Sequence, residues 1–337
     1  MPQETTSQEP LLSVRNLQFE FTLRGQVLHA LRGISLTVHK GESLAIVGES
    51  GSGKSVFVNT LMGLNAPNGH ITGGSILYHG QDLTKLKSNE DWLKIRGGKI
   101  AMVMQDPMTS LNPLKTIGYQ IQEAVELHQG VHGEEAKKRV FELLGEVGIS
   151  EPERRYHQYP HEFSGGMRQR VVIAIAVACR PEILICDEPT TALDVTIQAQ
   201  ILDLLAGLKK KLGTSIILIS HDLGVIAQLC DHVLVMYAGQ VIERGSVQEI
   251  FHHPAHPYTQ GLLASLPRVD ADKDTELAVI DGQPPDLLYD IKGCPFVDRC
   301  PHAMQICAMQ PPEETAIAGG DTHAAKCWLQ QKKEALN

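Results

Sequence analysis

Apolar and polar residues alternate through LSVRNLQFEF (residues 12–21) and GISLTV (33–38), the period of half-buried strands. The unbroken apolar run SLAIV (43–47) has the length of a strand buried on both faces. Helical spacing of apolar positions takes over in TIGYQIQEAVELHQG (116–130) and EEAKKRVFELLGEVG (134–148), with Gly148 as a stop. Further on, strand-like runs EILIC, TSIILIS and HVLVMYAG alternate with helix-like VTIQAQILDLLAGLKKKLG and LGVIAQLC. That alternation predicts βαβ units on a parallel sheet. After about Phe251 the texture changes to HHPAHPY, paired prolines and clustered cysteines, where a second, smaller module is expected to begin. No internal repeat and no low-complexity tract interrupts this order.

Composition narrows the class. The 337 residues are 42% hydrophobic and 20% charged, a globular balance that suggests about two domains and excludes collagen-like or wholly disordered chains. The longest uncharged apolar stretch, Val171 to Cys179, is about half of what a membrane span requires. The opening MPQETTSQEP lacks the basic and apolar regions of a secretory signal, so the cysteines are expected as thiols. A net charge of −9 argues against a nucleic-acid binder that relies on counterion release.

Candidate chemistry enters at Gly48-Glu-Ser-Gly-Ser-Gly-Lys-Ser55, which fits G-x-x-x-x-G-K-[ST] between the SLAIV strand and the helix-like VFVNTLMGL. Backbone N–H groups along Gly48, Ser50, Gly51, Ser52 and Gly53 are expected to cradle phosphate oxygens, helped by the following helix N-terminus. Lys54 is expected to reach the β- and γ-phosphates, and Ser55 to ligate Mg²⁺. The run Ile183-Leu-Ile-Cys-Asp-Glu188 predicts two carboxylates at the carboxyl end of a central strand. Asp187 is then expected to hold the metal and Glu188 to act as general base on the attacking water.

At Phe163-Ser-Gly-Gly-Met-Arg-Gln-Arg170 the sequence resembles the LSGGQ signature of ATP-binding cassette (ABC) proteins, with Phe and Met replacing the outer letters. The resemblance implies an α/β P-loop NTPase fold with three parts. These are a parallel-sheet core, a helical subdomain over about 112–173 and an N-terminal antiparallel β part. It places the nucleotide-binding domain at 1–250 and a cysteine-containing extension at 251–337. It also implies two cassettes facing head to tail, with Ser164, Gly165 and Gly166 of one closing on ATP held by the other. By the same resemblance Gln105 is the Q-loop glutamine that senses Mg²⁺. Thr191-Ala-Leu-Asp194 is the D-loop at the dimer seam, and His221 is the switch histidine that hydrogen-bonds the γ-phosphate. Phe21 is the aromatic that stacks on adenine, although Phe19 and Phe21 also read as ordinary strand residues.

Chromosome and repair types carry a long coiled coil between Q-loop and signature. The 59 positions from Gln105 to Ser164 are too few for one. MQDPMTSLNP, PHEFSGGMRQR, DEPTTALDVTIQAQI and HPYTQGLL resemble the ATPase subunits of bacterial dipeptide and oligopeptide importers, a group that includes nickel systems. The implied partners are a second, similar ATPase, two permeases and a substrate-binding protein, at the cytoplasmic face of the inner membrane. A nickel or other small-solute importer is the alternative within the class; a soluble ABC ATPase acting on nucleic acid is the alternative outside it.

Cys294, Cys300, Cys307 and Cys327 are separated by five, six and nineteen residues, and clustered cysteines in such a chain point to metal more than to disulfides. Cysteine followed by proline fits iron–sulfur ligation, the tight pairs zinc prefers are missing, and free thiols or a small disulfide-capable module are the third reading. The family resemblance also implies a four-iron four-sulfur cluster here. Cys179, Cys186 and Cys230 read as small core residues. His252, His253 and His256, interleaved with Pro254 and Pro257, read as a rigid linker rather than a metal site.

Overall fold

The computed structural model describes residues 9–191, 193–265, 279–320 and 322–331. The strands described run in chain order as β1 Leu12–Leu23, β2 Gln26–Val38, β3 Ser43–Val47, β4 Gly69–Tyr78, β5 Gln81–Asp82 and β6 Ile100–Val103. They continue as β7 Ile183–Asp187, β8 Ser215–Ile219, β9 His232–Tyr237, β10 Gln240–Ser246, β11 Glu314–Ala316 and β12 Ala324–Lys326. The chain divides into two compact units, one of Met1–Leu11, Val38–Ser43 and Lys85–Cys230, the other of Leu12–Thr37, Leu44–Thr84 and Asp231–Asn337.

In the first unit β6, β7 and β8 lie side by side and parallel, from Ile100↔Ile183 to Val103↔Cys186 and from Ile183↔Ser215 to Asp187↔Ile219. Every residue of β8 is buried, and in β7 only the terminal Asp187 is partly exposed. This is why the runs are unbroken rather than alternating: both faces are covered. The helical section spans Ile117–Gln129, Gly133–Glu146, Pro152–Tyr156 and Gly165–Val177. Thr116 caps the first of these and Gly130 ends it in the left-handed conformation. Its buried Ile117, Ile121 and Val125 recur every four residues, and Val140, Leu143 and Leu144 do the same work in the next helix. Gly148 takes φ 75°, just past the end of that helix, where the sequence predicts the stop. Cys186 and Cys230 are buried and Cys179 is half-buried, as small apolar residues.

In the second unit an antiparallel layer runs β2-β1-β4-β5, with β1 paired to β4 from Leu12↔Tyr78 to Phe21↔Gly69. A second layer pairs β3 with β9 in parallel, Leu44↔His232 to Val47↔Val235, then β9 with β10, β10 with β12 and β12 with β11. The tail is therefore not a bead on a linker. Its β12 hydrogen-bonds along β10 at Glu243↔Ala325 and Arg244↔Ala324. The histidine-proline stretch is a short, tightly held connection between the helices Val247–His252 and Pro257–Ala264. His256 is 1% exposed, and its Nδ1 accepts the Tyr258 N–H to cap the helix Pro257–Ala264. Glu243, 1% exposed, accepts the N–H groups of Ala255 and His256 and pairs with the His323 ring at 2.7 Å. No described helix is long and apolar enough to cross a membrane.

Candidate functional site

β3 delivers the chain into the loop Gly48–Ser55 and the loop into the helix Lys54–Leu61. Gly48 sits at φ 150°, and a Cβ there would lie 2.2 Å from the Met236 carbonyl oxygen. Only glycine fits that approach. The helix starts from Gly53 at φ 101° with no side-chain cap, and the N-terminus of a helix favours anions. The Lys54 ammonium donates to the carbonyls of Gly48 at 2.6 Å and Glu49 at 2.9 Å and to Ser52 Oγ at 3.3 Å. It thus folds back over the loop.

The loop's second residue is held from the tail. Glu49 N–H donates to the Tyr258 hydroxyl at 2.8 Å. Its carboxylate accepts both outer nitrogens of Arg299, Nη1 at 2.8 Å and Nη2 at 3.1 Å. Hydrogen bonds from the Arg299 guanidinium to Glu49, ahead of the opposing effect of burial, push its pKa above the ordinary arginine range. Burial likewise pushes the Tyr258 phenol up, so its hydroxyl stays protonated. Sequence reading missed both contacts. The signal was weak: Arg299 lies in VDRC, and its partner is 250 positions away.

In the first unit, Glu188 follows β7 with φ 45°, and its N–H is fixed to the Ile219 carbonyl of β8 at 2.9 Å. A non-glycine residue in this region is strained, and strain of that kind gathers at functional sites. Three residues expected from the sequence converge on its carboxylate. Gln105 Nε2 donates at 3.0 Å, Thr191 Oγ1 donates at 2.9 Å, and His221 Nδ1 lies 3.4 Å away. Asp187, the residue before Glu188, ends β7. His221 opens a turn that Asp222 closes by accepting the N–H groups of Gly224 and Val225; Asp222 also accepts from Gln198 at 2.9 Å. Asp222 was not singled out from the sequence.

Ser164 is exposed and caps the helix Gly165–Val177, its Oγ accepting the Met167 N–H at 3.4 Å. Gly165 is exposed and Gly166 buried; a Cβ on Gly166 would meet Ile197 Cγ2 at 2.5 Å. Asp194 caps the helix Val195–Leu212 through the Ile197 N–H. Ala192 of the expected D-loop lies outside the described residues. Phe19 is buried, while Phe21 is half-exposed at the strand end, edge-on to Phe19 at 5.0 Å. The pair thus divides into a buried residue and a partly exposed one.

The four tail cysteines share one small region, where Cys294 N–H donates to the Cys307 carbonyl at 2.7 Å. Burial, reinforced by the neighbouring thiols, pushes Cys294 and Cys327 up to about 11 and raises Cys300. Yet among the described residues no group of three or more His, Cys, Asp or Glu side chains is placed to hold a metal ion. The expected iron–sulfur cluster on Cys294, Cys300, Cys307 and Cys327 is thus unsupported. Cys294, Cys307 and Cys327 are buried there, and Cys300 is partly exposed.

A glycine loop between a buried strand and an uncapped helix, a lysine folded over it, and an Asp-Glu pair ending a parallel strand define a P-loop nucleotide hydrolase. Residues 31–191 match the family described as "ABC transporter", and residues 242–307 that described as "Oligopeptide/dipeptide transporter, C-terminal region". The chain is 53% identical to the oligopeptide transport ATP-binding protein AmiE of Streptococcus pneumoniae, over 96% of this chain and 91% of that one. It is 51% identical to the dipeptide transport ATP-binding protein DppD of Bacillus subtilis, over 96% of each. Among solved structures, the ATP-binding cassette MJ0796, a dimer in a post-hydrolysis state bound to ADP and Pi, aligns with TM-score 0.62 and 29% identity. That match covers 70% of this chain and 98% of the cassette. The chain belongs to the ABC transporter ATPases, in the oligopeptide/dipeptide transporter family. ATP and Mg²⁺ are the ligands expected of such a protein.

Proposed function

We propose that the chain hydrolyses ATP to drive import of short peptides through two partner permeases, paired with a second, similar ATPase and fed by a substrate-binding protein. Its place is the cytoplasmic face of the bacterial inner membrane, reached through permease contacts. One observation carries the reading: a single chain joins the lysine-capped phosphate loop to a tail matching the oligopeptide/dipeptide transporter C-terminal region. In this reading residues 1–250 are the cassette, with its helical subdomain at about 112–173, and residues 251–337 are the extension.

The roles follow from the chemistry of the side chains. Gly48, Ser50, Gly51, Ser52 and Gly53 offer backbone N–H groups to the phosphates, and Lys54 exchanges its loop carbonyls for phosphate oxygens. Ser55, Gln105 and Asp187 supply oxygen ligands to Mg²⁺, which neutralises charge on the phosphates when bound. Glu188 orients and deprotonates the water, positioned by Gln105, Thr191 and His221. His221 also addresses the γ-phosphate, and the partly exposed Phe21 stacks on adenine. Ser164, Gly165, Gly166 and Asp194 serve the nucleotide of the partner cassette.

Purified complex in proteoliposomes tests this. Peptide and its binding protein should stimulate ATP turnover, and Lys54→Ala should abolish uptake. Uptake of nickel but not peptide would select the alternative within the class, and DNA-stimulated turnover without membranes would select the soluble rival. For the tail, iron, acid-labile sulfide and zinc analysis after anaerobic purification separates the cluster, zinc and free-thiol readings.

A further inference from the structure

Every N–H of Arg299 is committed. Nε donates to the Asp281 carbonyl at 2.9 Å, Nη2 to Ile280 O at 3.0 Å and to Glu49, and Nη1 to Tyr237 Oη at 3.2 Å and to Glu49. The side chain is 5% exposed, against the rings of Tyr237 and Phe296. Phe296 lies between Cys294 and Cys300 in sequence and packs on Tyr237 and Tyr258 at 5.4 Å each. All five donors of a planar cation are therefore aimed, and two of them meet one carboxylate as a fork.

That carboxylate is badly placed for a protein that binds a polyanion. Glu49 is the second residue of the phosphate loop, and its own carbonyl touches the Lys54 ammonium. A free negative charge here lies well inside a Debye length of any phosphate bound to the loop and repels it. We propose that Arg299, from the cysteine-bearing tail, is a positioning residue that neutralises Glu49 and holds it off the nucleotide, with Tyr258 fixing the same residue's backbone. The tail thereby sets ATP affinity in cis. This rests on the phosphate loop being the ATP site.

The test is equilibrium binding of ATP and ADP to the full-length chain in low and high salt. R299M weakens ATP about tenfold at low salt, weakens ADP less, and recovers as salt screens the repulsion. E49Q/R299M, which removes the unpaired charge, binds ATP within about twofold of the parent. A merely structural Arg299 gives the opposite pattern: the double variant stays as weak as R299M and salt has no effect. That result, or R299M binding like the parent, overturns the proposal. Should R299M fail to fold, R299Q keeps hydrogen-bond donors without the charge and carries the same comparison. A parent chain that does not bind ATP would instead sink the ATPase reading itself.

Discussion

Gln105 Nε2 donates to Glu188 Oε2 at 3.0 Å, joining two residues 83 positions apart in the chain. The contact fixes one carboxylate oxygen, Thr191 approaches the same oxygen, and His221 lies near the other. A carboxylate addressed from three sides and carried on a left-handed backbone is held in one orientation. That is what a general base needs and a surface turn does not.

Glu188→Gln keeps the shape and the Gln105 contact but removes the proton acceptor. Turnover should fall by about 10² to 10⁴-fold while ATP still binds. Steady-state kcat alongside equilibrium ATP binding checks it, and an unchanged kcat removes Glu188 from the base role.

Parts of this arrangement are legible in the sequence because they are local. SLAIV and ILICD read as buried strands, since an unbroken apolar run that short can hardly be anything else beside glycine or acid punctuation. Asp194 and Thr116 also cap helices, a role not read from the sequence. β4 escaped notice, because Gly73 and Gly74 break its alternation at a register shift against β1 between Arg15 and Phe19. A Cβ on Gly74 would lie 2.4 Å from the Asn16 carbonyl, so the irregularity is set by a partner some sixty residues earlier. The Arg299–Glu49 fork and the buried cap at His256 are likewise products of tertiary contact, invisible to periodicity. The cysteines show the reverse failure. Their clustering is plain in the sequence, but the positions of their side chains are settled by packing.

Gly166 lies where two helices of the first unit approach, its missing Cβ facing Ile197. Gly166→Ala should cost about 1–3 kcal/mol through overpacking, read as a lower melting temperature. Trimming the obstruction in Gly166→Ala/Ile197→Ala should recover part of that loss. If the single substitution is neutral, the close approach is not a constraint.

Asp194 caps an eighteen-residue helix and is also assigned to the seam between cassettes. The two roles separate by substitution. Asp194→Ala should lose the cap, about 0.5–2 kcal/mol of stability, whereas Asp194→Asn retains it. If the carboxylate also acts at the seam, Asn should melt like the parent and hydrolyse more slowly. Equal turnover in Asn and the parent leaves only the cap.

His256 gives the sharpest pH prediction. Burial lowers its pKa from 6.5 to about 4, and its Nδ1 is occupied by the Tyr258 N–H. The ring is thus neutral when folded but free to take a proton when unfolded. Between about pH 6.5 and 4 the unfolded state binds the extra proton, so this group's contribution to stability is full above pH 6.5 and declines as pH falls through that window. Asn can accept the same cap bond without titrating, so His256→Asn should flatten the loss of stability over that range. Denaturant unfolding at several pH values measures the two slopes. A variant whose stability falls between pH 6.5 and 4 as steeply as the parent's would show that His256 does not take up the proton.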